Sequence, residues 1–173
     1  QAAETYLYEL VADHITRTPA EEATSKAMAW GVEYEEEAIG AYCFEVGEEV
    51  TPQGFVRHEE VLIGASPDGL TSDGMLEVKC PYTTREHVRT LLTGEVKPEY
   101  FAQIQGNLWI LDLPWCDYVS YDPRIEGLAR LRIIRVDRDE DYIAKLSANV
   151  LEFRGMLLSN LEALGVEPFI FVE

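Results

Sequence analysis

The stretch from Ser66 to Cys80 constrains this chain more than any other. Leu76-Glu77-Val78-Lys79-Cys80 alternates apolar and charged residues, the period-two pattern of a strand with one buried face. Alternate strand side chains share a face, so Glu77 and Lys79 point one way while Leu76, Val78 and Cys80 point into an apolar layer. Ser66-Pro67-Asp68-Gly69 has the composition of a turn, and Ser72-Asp73-Gly74 is a hairpin-type turn leading into a strand from Met75 to Cys80. A hairpin there returns Asp68 to the side of Glu77. The fold must therefore cover the apolar face and leave two carboxylates and an ammonium together on the other.

Two carboxylates converging on one point repel unless a cation lies between them. Mg²⁺ suits such a place because it takes hard oxygen ligands, although carboxylates alone do not distinguish it from Mn²⁺. The carbonyl of Val78 could add a third protein oxygen. Lys79, on the same face, could hold a metal-bound water in its deprotonated form, which is equipment for phosphodiester hydrolysis. The same Glu-x-Lys pair also reads as a solvated ion pair on a strand, and composition does not separate the two.

A third carboxylate joins by helical geometry. Ser25 to Val46 reads as one helix, with a break expected near Gly31 or Gly40. Ile39, Tyr42 and Val46 fall within about 40° of Glu35, whereas Glu33, Glu36 and Glu37 fall well away. Glu35 therefore points with the apolar stripe and needs a partner, a metal or a lysine. The alternative is a peripheral glutamate on a ragged stripe.

The remaining pattern places this pair of elements in one domain. Ala2-Ala3-Glu4 onward reads as a helix with Tyr6, Leu7, Leu10, Val11 and Ile15 at helical spacing. A chain opening at Gln1 in mid-helix is expected to lack an upstream piece. Strand signals run from Glu49 to Glu60, broken by Pro52 and Gly54, and Val61 to Ala65 is a short apolar run. Thr83 to Leu92 and Pro98 to Leu111 read as helices, the second with Pro98 in its first turn. Cys116 to Tyr121 and Leu128 to Val136 alternate as strands. Asp139 to Leu164 is a long helix with the stripe Ile143, Leu146, Val150, Phe153, Leu157, Leu161 and Leu164. The expectation is an α/β (α+β) fold, a central mixed β-sheet flanked by helices.

Composition limits the partners. With 14 basic and 32 acidic residues the formal charge is −18, which taken alone argues against nucleic acid. That objection weakens if the acidic residues lie on outer faces, the basic ones line a channel, or some carboxylates hold metal. The three cysteines, Cys43, Cys80 and Cys116, lack zinc-site spacing and read as reduced thiols. No run of 18 apolar residues and no signal-like opening are seen, so no membrane contact and a cytoplasmic location are expected.

Taken together, Ser66-Pro67-Asp68-Gly69-Leu70 and Leu76-Glu77-Val78-Lys79-Cys80-Pro81 resemble the PD-(D/E)xK nuclease superfamily, whose core is restriction-endonuclease-like. The closer resemblance is to the lambda exonuclease family, also called YqaJ-like. Ala29-Trp30-Gly31 with Tyr34-Glu35, Tyr100 to Gln105 and Tyr121-Asp122-Pro123-Arg124 add to it, over roughly residues 24 to 165.

The resemblance implies metal ligands Asp68, Glu77, the Val78 backbone carbonyl and Glu35, holding two Mg²⁺ ions, with Mn²⁺ also possible. It implies catalytic roles for Lys79, Glu77, Asp68, Glu35 and Gln103. By pattern, Gln103 is only one amide on a largely apolar helix, away from Phe101, Ile104, Leu108 and Leu111. The implied activity is 5′→3′ exonuclease digestion of double-stranded DNA from its ends to 5′-mononucleotides. The setting would be phage-type homologous recombination, in the cytoplasm of a phage-infected or prophage-bearing bacterial cell. A homotrimeric ring and a single-strand annealing protein as partner are implied too.

Arg85, Arg89, Lys97 and Arg124 are candidates for a basic DNA track, or else scattered surface cations. Family members carry an upstream segment gripping the 5′ phosphate that this chain does not show, so residues 1–173 read as a single nuclease domain lacking it. An endonuclease or repair nuclease of the same superfamily, or a catalytically impaired DNA-binding module, is the alternative.

Overall fold

In a computed structural model of the chain, residues 2–18, 25–58 and 63–168 are described. Helix α1 (Ala2–Thr16) is followed by the long α2 (Lys26–Val46). Ser25 caps α2 by accepting the Met28 N–H at 3.1 Å, and Gly47 closes it with φ 76°, donating its N–H to the Cys43 carbonyl. No break occurs at Gly31 or Gly40. A helical glycine costs only about 1 kcal/mol, less than α2 gains by burying Ala38 and Tyr42 against the sheet.

The central sheet has the order β3-β4-β5-β6, where β3 is Gly69–Leu70, β4 Met75–Lys79, β5 Trp115–Tyr121 and β6 Leu131–Asp137. It is mixed, as the sequence led us to expect: β3 and β4 are antiparallel, β4 and β5 parallel, β5 and β6 antiparallel. A parallel pair needs a crossover, and α3 (Thr84–Thr93) and α4 (Pro98–Leu111) supply it. Helix α5 (Glu140–Ala163) closes the described fold, with Asp139 accepting the Tyr142 N–H at its start. It packs on α1 through a Tyr6–Phe153 stack at 5.8 Å and on α4 through an edge-on Phe101–Tyr142 contact at 5.0 Å.

Each sheet face carries its own core. On one, Leu76, Val78, Cys80, Val119 and Tyr121 pack against Ala38 and Tyr42 of α2. On the other, Met75, Cys116, Tyr118 and Val136 pack against Ile104 and Leu108 of α4. The alternation read in β4 is therefore the alternation between these two cores. Gly74 is required at the hairpin, because a Cβ there would lie 2.5 Å from the Trp115 ring.

Several boundaries differ from expectation. The strand expected from Glu49 to Glu60 shrinks to a bridge at Thr51 and to β1 (Val56–Arg57), which pairs with β2 (Gly64–Ala65). Residues 59–62, and with them the ends of that strand and of the Val61–Ala65 run, lie outside the described residues. The turn expected at Ser66 to Gly69 ends in β3, because Gly69 already pairs with Leu76. The strand expected from Leu128 starts at Leu131, after a short 3₁₀ turn that opens at Gly127 with φ 69°. Val46, assigned to the inward stripe of α2, is exposed, since the helix end runs past the sheet. All three cysteines are free thiols, and no described helix is long and apolar enough to cross a membrane.

Candidate active site

The hairpin and the parallel pair assemble one polar cluster at the centre of the sheet. The Asp68 N–H donates to the Leu76 carbonyl at 3.2 Å, continuing the β3–β4 ladder and setting Asp68 beside the strand. Its Oδ2 accepts the Val78 N–H at 2.6 Å. On the α4 face of β4, Lys79 Nζ donates to Glu77 Oε1, an ion pair in which Glu77 is fully buried. Glu77 Oε2 also meets Asn107 Nδ2 of α4 at 3.5 Å. The Lys79 ammonium lies 5.3 Å from the Tyr100 ring centroid, a cation–π contact that walls it on the α4 side.

Glu35 reaches the same place from α2. With Asp68, Val78, Lys79, Cys80 and Tyr100 it lines a cavity of about 390 Å³. Asp68, Glu77, Lys79 and Glu35, singled out from the sequence, are thus brought together. Glu77 is fully buried beside the cavity and pairs with Lys79, which lines it.

The electrostatics are those of an under-compensated acidic site. Burial pushes the Glu77 carboxyl up to about 7, with Lys79 opposing and Asp68 and Glu35 reinforcing the rise. Burial also raises Asp68, against the pull of the Val78 N–H and Lys79. Glu35 rises for the same reason and through repulsion from Asp68, with Lys79 opposing. Burial disfavours the Lys79 ammonium, but Glu77 and Asp68 outweigh it, so Lys79 is held above the usual lysine value. The neighbouring Cys80 thiol is pushed up to about 12 by burial, reinforced by Glu35, Asp68, Asp122 and Glu37, which keeps it a neutral thiol.

Among the described residues no three Asp, Glu, His or Cys side chains already form a metal cage. The donor chemistry still fits a divalent cation. Three carboxylates face one ammonium, every carboxyl is raised, and hard oxygens of this kind suit Mg²⁺ or Mn²⁺.

Gln103 is exposed on α4, on the side of the helix that carries Tyr100 and Asn107, while Ile104 turns into the core. The amide that meets Glu77 belongs to Asn107, which sequence reasoning missed. Its signal was its spacing of seven from Tyr100, which puts both on one side of the helix.

Each member of the candidate basic track has a carboxylate within ion-pair distance: Arg85 has Glu86 at 3.3 Å, Arg89 has Glu95 at 3.6 Å, Lys97 has Glu86 at 2.8 Å and Arg124 has Asp122 at 2.7 Å. In so acidic a chain, cations find acidic neighbours first. Glu37 was read as turned away from the sheet, yet it accepts the Tyr121 O–H at 2.5 Å at the edge of the α2 core.

Comparison with known proteins gives a consistent picture. The family model for the YqaJ-like viral recombinase domain matches residues 1–114. The alkaline exonuclease LHK-Exo from Laribacter hongkongensis is similar at 37% identity and a TM-score of 0.87, over 94% of this chain and 82% of that one. LHK-Exo in complex with dAMP is similar at the same identity and TM-score, over 93% and 82%. A phage related exonuclease from Haemophilus somnus 129PT shares the fold, at 19% identity and a TM-score of 0.65 over 91% and 82% of the two chains. A search of curated proteins returns no match.

Proposed function

The chain belongs to the YqaJ-like viral recombinase family, and on that premise we propose that it is a divalent-metal-dependent 5′→3′ exonuclease of double-stranded DNA. The observation that carries this reading is the convergence of Glu35, Asp68 and Lys79 on one cavity, with Glu77 buried behind Lys79. The similar LHK-Exo forms a complex with dAMP, a deoxynucleoside monophosphate of the kind such hydrolysis releases.

In this reading Asp68, Glu77, Glu35 and the Val78 carbonyl hold Mg²⁺, or Mn²⁺ in its place. When bound, the ion supplies Lewis acidity at the phosphoryl oxygens and lowers the pKa of a water. The chain's own residues do the rest. The Val78 N–H fixes Asp68, and Glu77 and Tyr100 hold the Lys79 ammonium towards the cavity. Lys79 then orients the attacking water and offsets charge that develops on the phosphoryl group. Linear duplex ends as substrate, a homotrimeric assembly, a single-strand annealing partner and a role in phage-type recombination extend the proposal on family likeness alone.

The test is digestion of a linear duplex beside a closed circle, with Mg²⁺ and with chelator. Mononucleotides should appear from the linear form only, and only with the metal. Lys79→Ala should lose about 100- to 1000-fold in turnover while still binding Mg²⁺. Cleavage of the closed circle would replace the exonuclease by an endonuclease, and undiminished turnover of the variant would remove Lys79 from the mechanism.

A further inference from the structure

Arg124 sits just after β5 and is far more heavily bonded than a surface cation needs to be. Its Nε donates to Asp122 Oδ1 at 2.7 Å and its Nη2 to Asp122 Oδ2 at 2.8 Å, a two-pronged fork. Nη1 donates to the Tyr82 carbonyl at 3.0 Å and Nη2 to the Pro81 carbonyl at 3.0 Å. The guanidinium carbon stands 4.6 Å from the centroid of Trp30, which meets Tyr34 at 4.3 Å and the edge of Tyr82 at 5.9 Å. Asp122 is fully buried, and its carboxylate also accepts the Arg124 N–H at 3.0 Å and a side-chain hydrogen bond from Thr84.

These contacts join three elements that meet at the cavity. Pro81 and Tyr82 continue from Lys79 and line the cavity wall. Trp30 lies on α2 between Met28 and Gly31, which line the same cavity, and Tyr34 is next to Glu35. Asp122 leaves β5 two residues after Ser120, the partner of Lys79 in the parallel register. Of the five N–H groups of a guanidinium, four are committed here, one on Nε, one on Nη1 and two on Nη2. Little of this group is left to hold a phosphate.

Resting on the nuclease reading, we propose that Arg124 is a positioning residue. It clamps the Pro81–Tyr82 wall and the Trp30 turn of α2 to the end of β5, and thereby sets Glu35 against Asp68 and Lys79. It does not itself grip the DNA backbone. Lysine cannot replace it, because an ammonium lacks the planar fork.

The experiment compares Arg124→Gln, Arg124→Lys, Asp122→Asn and the Arg124→Gln/Asp122→Asn double variant with the parent chain. Steady-state digestion of linear duplex is measured over a salt series, beside hydrogen exchange of the DNA-free proteins. A clamp predicts a fall in kcat of about 100-fold, the scale of a small misplacement of reacting groups. KM and the salt slope should stay near the parent's, and Asp122→Asn should reproduce the loss. The double variant should add nothing to it, Lys should not rescue, and amides 82–84 should exchange faster.

A raised KM with kcat retained and a shallower salt slope in Arg124→Gln would assign Arg124 to phosphate and overturn the clamp. Unchanged exchange at 82–84 would overturn it too. If the parent digests no DNA, the nuclease reading fails by itself, and the exchange data still decide the clamp. Arg124→Lys keeps the charge, so it carries every measurement if Arg124→Gln does not fold.

Discussion

Glu77 and Asp117 are near neighbours in the β4–β5 register, and both are almost wholly buried, but they point to opposite faces of the sheet. Asp117 faces α2 and is saturated. It accepts the Tyr42 O–H at 2.8 Å and a forked pair from Arg135, at 2.6 Å from Nε and 3.0 Å from Nη2. Arg135 is itself stacked 3.4 Å from the Trp115 centroid. Glu77 faces α4 with one ammonium, which Asp68 and Glu35 also draw on, and a long contact to Asn107. The same burial therefore has two outcomes. One carboxylate is a structural tie, and the other is held up at about 7 by its surroundings. Under the proposed function, the carboxylate left short of donors is the one that serves the chemistry.

Glu77→Gln should show the largest contrast. It removes a proposed metal ligand and should cost at least about 1000-fold in turnover, measured on linear duplex. In metal-free protein the sign on stability is the reverse. With its folded pKa raised from 4.5 to about 7, Glu77 holds its proton more tightly in the fold than in the unfolded chain. Its ionisation therefore erodes stability as pH rises from about 4.5 to about 7. Glu77→Gln should match the parent near pH 4 and exceed it at pH 8, by at most about 3 kcal/mol. Urea melts across that range check this, and a variant less stable at pH 8 would break the comparison.

Asp117→Ala should show a smaller effect of opposite sign. It strands the Tyr42 hydroxyl and both prongs of the Arg135 fork, so a loss of about 2 kcal/mol is expected. Coincident melting curves for parent and variant would show that the α2 face is not the tie described. Gln103→Ala should change least. An exposed side chain on α4 should move stability by no more than about 0.5 kcal/mol, and the digestion assay on the same variant decides whether it touches substrate.

The two carboxylates also show why parts of the site were legible and others were not. Glu77 and Lys79 could be paired from the alternation of β4, and Asp68 placed beside them from the Ser72-Asp73-Gly74 turn. Glu35 could be turned inward because Ile39 and Tyr42 share its side of α2. Each inference needed only the period of one element or the span of one hairpin. Asn107 lies 30 residues from Glu77, and Tyr121 lies 84 from Glu37. No period links such residues, so those partners could not be read. The ties of Arg124 to Pro81 and Tyr82 were hidden for the same reason, because they cross 43 and 42 residues.

By itself the amino-acid sequence determined the mixed sheet flanked by helices, the two-faced character of β4 and the direction of four side chains. Side-chain direction follows from backbone geometry within a helix, a strand or a tight turn, and neighbours in sequence carry it. Only the tertiary structure decided which cations were already occupied, which amide met Glu77, and that Glu77 would be starved of donors while Asp117 was saturated. Those outcomes depend on which surfaces of α2 and α4 the sheet buries, and on the desolvation and long-range pairing that come with burial.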